Sequence, residues 1–171
     1  MKLSNILLAT TLLAGAATAS EFTGYKGLTK HLKSESKKHG NTASTADVKK
    51  AIAAKDWAVV DVRTMEEWSA AHIKGTSRIG RQAPEKALGN IVLDDDDKFI
   101  KNKLIVVCNT ASRASIEAET FRKMGFAKVK IYGINTWIDE CNPVTNKYSK
   151  AKDKQGTKIK FGNFYAEHCK K

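Results

Sequence analysis

The chain has 171 residues, of which 42% are hydrophobic and 28% are charged. This composition excludes a disordered or fibrous chain, and the length favours one folded domain with short appended segments. The formal net charge of +12 indicates attraction for small anions or for an acidic partner, with a merely solvated basic surface as the alternative.

The N-terminus is typical of a secretory signal peptide. Lys2 precedes an apolar run at residues 6–14, which is shorter than the ~20 residues that cross a bilayer. Residues 17–19, Ala-Thr-Ala, then offer small side chains for cleavage. We therefore expect residues 1–19 to be removed and the mature protein to be periplasmic or secreted, without stable membrane insertion. An uncleaved N-terminal anchor is the alternative.

Basic segments flank the central part of the chain. Residues 20–43 form a polar, basic lead segment in which we expect one short helix, and residues 145–171 form a basic, irregular C-terminal tail. An exported protein seldom meets nucleic acid, and the basic and aromatic platform of nucleic-acid binders is absent from the sequence. We therefore expect no nucleic-acid partner.

Residues 44–144 alternate between patterns typical of strands and patterns typical of helices. Predicted strands, recognised mainly as runs of β-branched and apolar residues, lie at residues 57–62, 79, 104–107 and 129–132. Predicted helices lie at residues 65–72, 84–88, 113–124 and around Trp137, with another that begins at Ser44 or Thr45. This alternation predicts an α/β fold with a mostly parallel central sheet and helices on both faces.

Cys108 stands where the clearest buried strand ends and a helix is about to begin. In parallel sheets, ligands bind beyond the carboxyl ends of the strands. The residues that follow are small or polar, so their backbone N–H groups can curl toward one spot, and the helix N-terminus adds its positive end there. An anion, whether a thiolate or a bound oxyanion, is stabilised at such a place. We predict that Cys108 is a nucleophile, and a buried structural cysteine is the alternative.

Several ordered motifs between residues 44 and 144 resemble the rhodanese family. The matching residues are Asp61-Val62-Arg63, Glu67-Trp68, His72-Ile73 with Gly75, Cys108 with Arg113, Gly125-Phe126, and Gly133 with Trp137. Their order and spacing make the resemblance specific. The sequence departs from the family pattern at Lys74, where a proline is usual, and at Cys141-Asn142, where a glycine before proline is usual.

The resemblance implies a single rhodanese-like domain that acts as a sulfurtransferase, without a metal or an organic cofactor. It implies that Cys108 carries a persulfide between a small anionic sulfur donor and a thiophilic acceptor. Arg113 would hold the donor, with a role as a clamp between the loop and the backbone as the alternative. Arg81 would also hold the donor, since it lies in a degenerate form of a stretch that faces the catalytic cysteine in many relatives. The loop residues Asn109, Thr110, Ala111 and Ser112 would complete the binding site.

Within the family, the chain is most similar to the periplasmic polysulfide-sulfur transferases, because of its loop sequence and its single-domain, exported format. Polysulfide is favoured over thiosulfate as the donor, since the neutral residues Asn109 and Thr110 follow the cysteine where thiosulfate-type loops carry basic residues. A respiratory reductase or a thiol is the implied acceptor, and the resemblance alone implies a homodimer.

Two other functions compete with catalysis of sulfur transfer. A non-catalytic carrier that delivers sulfur would use the same persulfide and is not separated from an enzyme by sequence. Phosphatases and arsenate reductases on this fold have similar loops, but with one more residue between cysteine and arginine, which gives a wider cradle for a tetrahedral anion. The shorter loop between Cys108 and Arg113 favours sulfur transfer.

The remaining candidate residues have structural roles. We expect Asp61 to lie at a strand end, and Arg63 and Glu67, four positions apart, to form an ion pair. Three cysteines in an exported protein favour one disulfide and one free thiol. We expect a bridge between Cys141 and Cys169 that holds the tail, with resolution of a Cys108 persulfide by one of these thiols as the alternative. The histidines show no metal-ligand spacing, so no metal site is expected.

Overall fold

The computed structural model describes residues 24–146 and 165–169. The expected signal peptide at residues 1–19 lies outside the described residues, as does most of the expected tail. The helices of the described part are α1 Gly24–Lys38, α2 Thr45–Ala53, α3 Met65–Ala70, α4 Pro84–Val92, α5 Ser112–Lys123 and α6 Ile134–Asp139. The strands are β1 Trp57–Asp61, β2 Ser77–Arg78, β3 Lys103–Cys108 and β4 Lys128–Gly133.

The strands form one parallel sheet with the order β2-β1-β3-β4. Central strand β3 is inaccessible to solvent from Leu104 to Val107, which explains its uninterrupted apolar sequence. The register pairs Asp61 with Val107 and Cys108 with Gly133, so β1, β3 and β4 end at the same edge of the sheet. The expected α/β fold with a parallel sheet is confirmed.

Helices cover both faces of the sheet, as the sequence predicted. Alternate residues of β1 point to opposite faces, because successive side chains of a strand alternate. Val60 packs with residues of α4 and α5, including Phe121, whereas Val59 packs with residues of α2 and α6, including Trp137. The two apolar clusters form the core of the domain, and β3 contributes to both of them.

Helix ends follow from local side-chain chemistry. Ser44 caps α2 and Thr64 caps α3, each in a reciprocal capping box with the acidic residue three positions later. Helix α3 ends at Ala70, before the predicted residue 72, because His72 exchanges backbone hydrogen bonds with Thr145. Helix α4 continues to Val92, beyond the predicted residue 88, because Val92 is buried one turn after Leu88.

The lead segment is more ordered than expected, since it forms the 15-residue helix α1 and not a short one. Helix α1 packs against α5. Its buried residues are small and polar: Thr29 is 4% exposed and Ser36 is 3% exposed. The chain after α1 then pairs with the edge of the sheet, because Ile131 exchanges backbone hydrogen bonds with Asn41 and Ala43. None of the helices among the described residues is long and apolar enough to span a membrane.

Candidate active site

The Cys108 thiol lies at the end of β3, where it is 1% exposed. Helix α5 begins four positions later at Ser112, and the residue before it, Ala111, has a left-handed backbone with φ of 62° and no side-chain cap. The first turn of a helix has N–H groups without intrahelical partners. One of them, the N–H of Ala114, donates to Sγ of Cys108 over 3.5 Å. The sulfur therefore occupies the position that a capping oxygen normally takes.

The loop of residues 108–113, called here the Cys108 loop, rests against the end of β4. The N–H of Asn135 donates to the carbonyl oxygen of Asn109 over 3.1 Å. A Cβ atom on Gly133 would lie 3.1 Å from that oxygen and 3.4 Å from the nitrogen of Ala111. A side chain at this position would push the loop away by a few tenths of an ångström, so the sequence match at Gly133 has a steric cause.

Glu67 joins both ends of the Cys108 loop to α3. Its carboxylate accepts two hydrogen bonds of 2.7 Å from the guanidinium of Arg113 and one of 2.7 Å from the side-chain amide of Asn109. The same carboxylate accepts the N–H of Thr64 over 2.9 Å. Hydrogen bonding from Arg113, the largest cause, holds the pKa of Glu67 at about 2, below its usual 4.5, against the opposing effect of burial.

Arg113 lies beside both Glu67 and the sulfur of Cys108. Hydrogen bonding to Glu67 raises the pKa of Arg113, and the neighbouring Cys108 acts in the same direction. Each terminal nitrogen of the guanidinium donates one hydrogen bond to the carboxylate, a paired geometry that fixes its plane. Arg113 therefore clamps the loop to α3, in addition to placing a positive charge near the thiol.

Asp61 and Arg63 form a second, more deeply buried ion pair. The carboxylate of Asp61 is 1% exposed, and its Oδ2 lies 2.8 Å from Nη2 of Arg63. Arg63 also donates to the carbonyl oxygen of Ala71 and to the side chain of Asn109. The expected ion pair between Arg63 and Glu67 is wrong. Buried Asp61 requires a compensating charge, and Arg113 is the partner of Glu67.

Arg81 lies outside the Cys108 loop, at the mouth of a cavity of about 360 Å³ between α3 and the segment that leads to α4. The lining residues are Thr64, Met65, Glu66, Arg78, Ile79, Gly80, Arg81 and Gln82. Arg81 is exposed, and its charge reaches Glu117 on α5. Burial raises the pKa of Glu117, as does the neighbouring Glu85, while Arg81 opposes the change.

Arg78 is a residue that the sequence reasoning missed. It ends β2 and lines the same cavity as Arg81. Its Nε atom is buried and has no hydrogen-bond partner among the described residues. A buried donor without a partner is costly, and Arg78 also contributes a positive charge to the lining of this cavity. The sequence signal that could have identified Arg78 is a basic residue at the carboxyl end of a parallel strand, where ligands bind.

The cysteines divide as the sequence analysis expected. Cys141 and Cys169 are joined in a disulfide with a Cα–Cα separation of 5.4 Å, and Cys108 is the free thiol. The bridge connects the residues after α6 to a 3₁₀ turn at Glu167–Cys169. Neither bridged sulfur is available to attack a persulfide on Cys108 while the disulfide is intact.

Comparisons with solved structures show a shared fold at low sequence identity. The polysulfide-sulfur transferase homodimer from Wolinella succinogenes aligns with a TM-score of 0.55 at 23% identity, covering 75% of this chain and 92% of that chain. A protein of unknown function from Rhodopseudomonas palustris, named as a candidate tyrosine phosphatase, aligns with a TM-score of 0.51 at 23% identity, covering 71% and 93% of the two chains.

Sequence comparisons are more direct. YrkF of Bacillus subtilis, named as a candidate sulfur carrier protein, is 30% identical over 81 residues, which cover 46% of this chain. This chain spans only 40% of the length of that protein. The family model of the rhodanese-like domain matches residues 44–140, which contain the complete sheet and the Cys108 loop. The chain therefore belongs to the rhodanese-like domain family.

Proposed function

We propose that this protein is a sulfurtransferase in which Cys108 takes a sulfur atom from an anionic donor and passes it to a thiophilic acceptor. The observation that carries the proposal is the free thiol at the end of β3, which accepts the N–H of Ala114 in the first turn of α5. A helix N-terminus favours negative charge, both on a thiolate and on the outer sulfur of a persulfide.

The proposed reaction has two steps that balance without an added oxidant or reductant. In the first step, the Cys108 thiolate attacks the terminal sulfane sulfur of the donor. A new S–S bond forms, the donor S–S bond breaks, and the shortened donor leaves with the electron pair. In the second step, the acceptor nucleophile bonds to the outer sulfur, and the Cys108 thiolate is released for another cycle.

We propose polysulfide as the donor, with thiosulfate as the second choice. The neutral residues Asn109 and Thr110 beside the thiol support this preference. The cavity lined by Arg78 and Arg81 supports an anionic donor. Met65, which is 45% exposed at the same cavity, offers a polarisable thioether that suits contact with a soft sulfur chain.

Two alternatives deserve comparison with this proposal. A phosphatase would need its loop arginine for paired contacts with the transferred oxyanion, whereas both terminal nitrogens of Arg113 bond to Glu67. The name of the Bacillus subtilis relative supports a sulfur carrier as the second candidate function. A carrier would form the same persulfide, so only repeated turnover separates it from an enzyme.

The deciding experiment exposes the protein to polysulfide and measures the mass of the peptide that contains Cys108. We expect added sulfur on Cys108, none on this peptide in Cys108→Ser, and unchanged loading in the control Cys141→Ser/Cys169→Ser. Cyanide then serves as the acceptor, and repeated thiocyanate formation identifies an enzyme, whereas a single turnover identifies a carrier. Loss of sulfur uptake in the control with retention in Cys108→Ser would refute the assignment.

We further propose that residues 1–19 are a cleaved signal peptide, that the protein works in the periplasm or is secreted, and that it forms a homodimer. The sequence pattern of the N-terminus supports the first two statements. The homodimeric Wolinella succinogenes protein supports the third. Determination of the mature N-terminus and of the solution mass tests them, and an intact Met1 or a monomer would contradict them.

A further inference from the structure

Helix α1 carries a stripe of lysines formed by Lys26, Lys30, Lys33 and Lys37, called here the lysine stripe. Successive members are four, three and four positions apart, so they share one face of the helix. Among residues 24–146 and 165–169, no carboxylate lies within 4.0 Å of these ammonium groups. No carboxylate of the described residues therefore neutralises the stripe, and three of its four lysines are exposed.

The stripe leads to the Cys108 loop. Lys26, Lys30 and Lys33 line a cavity of about 510 Å³ together with Tyr25, Thr29 and Ser112. Ser112 is the first residue of α5 and belongs to the Cys108 loop. Tyr25 is 57% exposed at the outer end of the cavity and offers an aromatic surface of the kind enriched at protein interfaces. Positive charge, an aromatic side chain and the catalytic loop thus meet at one concave surface.

The length of the stripe indicates the type of ligand. Lys26 and Lys37 are eleven positions apart, which corresponds to about 16 Å along a helix. A small sulfur anion would contact one or two of these lysines. An extended acidic segment of a protein would contact all of them. A membrane-surface helix would insert its inner face into lipid, but this face of α1 packs against α5.

Resting on the proposed sulfur transfer, we propose that the lysine stripe docks an acidic segment of a protein acceptor and brings the acceptor thiol to Cys108. The lysines attract the segment over several ångströms and speed its association. The segment then lies along α1 with its thiol at Ser112, beside the loop. The stripe acts in the second half of the reaction and leaves loading of Cys108 from the donor unchanged.

The test uses the full chain, loaded with polysulfide and freed of excess donor. The acceptors are two peptides of equal length, one with a cysteine followed by glutamates and the other with a cysteine followed by glycine and serine. The test variant is Lys26→Gln/Lys30→Gln/Lys33→Gln. The control is Lys55→Gln/Lys123→Gln/Lys128→Gln. It loses the same charge from exposed lysines near the amino ends of the strands, away from the Cys108 loop.

We expect the unaltered protein to transfer sulfur to the acidic peptide about tenfold faster than to the neutral one at low salt. The preference should vanish in about 1 M salt, where the screening length is about 3 Å. The test variant should lose the preference, while the control keeps it and both transfer sulfur to cyanide normally. Slower transfer to cyanide in the test variant would show that the lysines act on the loop, which overturns docking.

Equal preferences in the test and control variants would also overturn the proposal, since net charge alone would then explain the attraction. If the test variant loses binding to vesicles of anionic phospholipid but keeps the preference for the acidic peptide, the stripe binds a membrane surface instead. An unaltered protein that takes up no sulfur at Cys108 overturns the proposed function, and this inference with it. Normal loading without a peptide preference overturns only the docking surface.

Discussion

Glu67 and Arg113 face each other across two parallel hydrogen bonds of 2.7 Å, although they are 46 positions apart in the sequence. The contact joins the first turn of α3 to the first turn of α5, the helix that begins beside the sulfur of Cys108. Because Asn109 donates to the same carboxylate, one acidic side chain holds both ends of the Cys108 loop.

Glu67→Gln should destabilise the fold and slow sulfur transfer together. The side chains of Arg113 and Glu67 are 18% and 30% exposed, so the substitution leaves a largely buried guanidinium without its counter-charge. We expect a loss of about 2 kcal/mol in the free energy of unfolding, reduced from the cost of a fully buried pair because water partly screens it. Urea unfolding measures the loss of stability. The rate of turnover with cyanide as the acceptor shows whether the Cys108 loop keeps its active position.

The control for this prediction is Glu119→Gln, which removes the ion pair of Glu119 with Arg122 at a more exposed site. Its effect should stay below about 1 kcal/mol, the range of surface pairs, and turnover should not change. Equal losses of stability in Glu67→Gln and Glu119→Gln would contradict the role of Glu67 as the anchor of the loop.

Gly133→Ala should displace the Cys108 loop. The new Cβ would lie 3.1 Å from the carbonyl oxygen of Asn109. Because this oxygen belongs to the backbone, the loop itself must shift to relieve the contact. We expect slower sulfur transfer and a stability loss of about 1–3 kcal/mol, as for other overpacked sites. Thermal unfolding and turnover measure the two effects.

Gly89→Ala is the matched control, because its Cβ would meet only a side-chain atom of Leu93 at 3.8 Å within α4. This variant should gain up to about 1 kcal/mol, since alanine favours a helix over glycine. If both alanine variants transfer sulfur at the normal rate, the close approach at Gly133 does not position the loop.

Acid should weaken the fold through Glu67. Its pKa in the folded protein is about 2, below the usual 4.5, so the folded state binds the proton less readily than the unfolded state. The stabilisation is therefore fully present above pH 4.5 and is lost as the pH falls from there toward about 2. Urea unfolding across this window should show falling stability, with a shallower slope in Glu67→Gln. An unchanged slope would contradict the assignment.

Arg78→Met should weaken binding of the anionic donor. The substitution keeps much of the side-chain volume in the cavity but removes the guanidinium, whose buried Nε has no partner among the described residues. Loss of a charge-assisted hydrogen bond costs about 1.5–3 kcal/mol, so the KM for polysulfide should rise at least about tenfold, with little change in kcat.

Arg81→Ala should act in the same direction. Lys86→Ala, at an exposed lysine on α4, is the control. A KM that moves equally in all three variants would refute a specific role of Arg78.

The segments that carry the chemistry were predictable because their patterns are local. An uninterrupted apolar run predicted β3, the residues after it predicted a loop and a helix, and the motif spacing predicted the family. The first two signals depend on neighbours within a few positions of Cys108, and the third depends on several short motifs, each of them local.

The partner of Glu67 was not predictable, because it lies in a distant segment of the chain. Glu67 pairs with Arg113, 46 positions later, whereas Arg63 pairs with the buried Asp61 only two positions before it. Helix α1 was underestimated for a related reason. The residues that it buries are Thr29 and Ser36, so the sequence contains no stripe of large apolar residues from which its packing face could be predicted.

The hydrogen bond from Ala114 to Sγ of Cys108 connects the chemical state of this cysteine to the backbone of α5. Ala111 provides no side-chain cap, so a change in the charge or position of the sulfur alters the partner of this amide. Exchange of the Ala114 amide proton with deuterated water consequently reports whether the thiol is resting, loaded with sulfur or alkylated. The first turn of α5 thus provides a built-in probe of turnover that requires no label on the substrate.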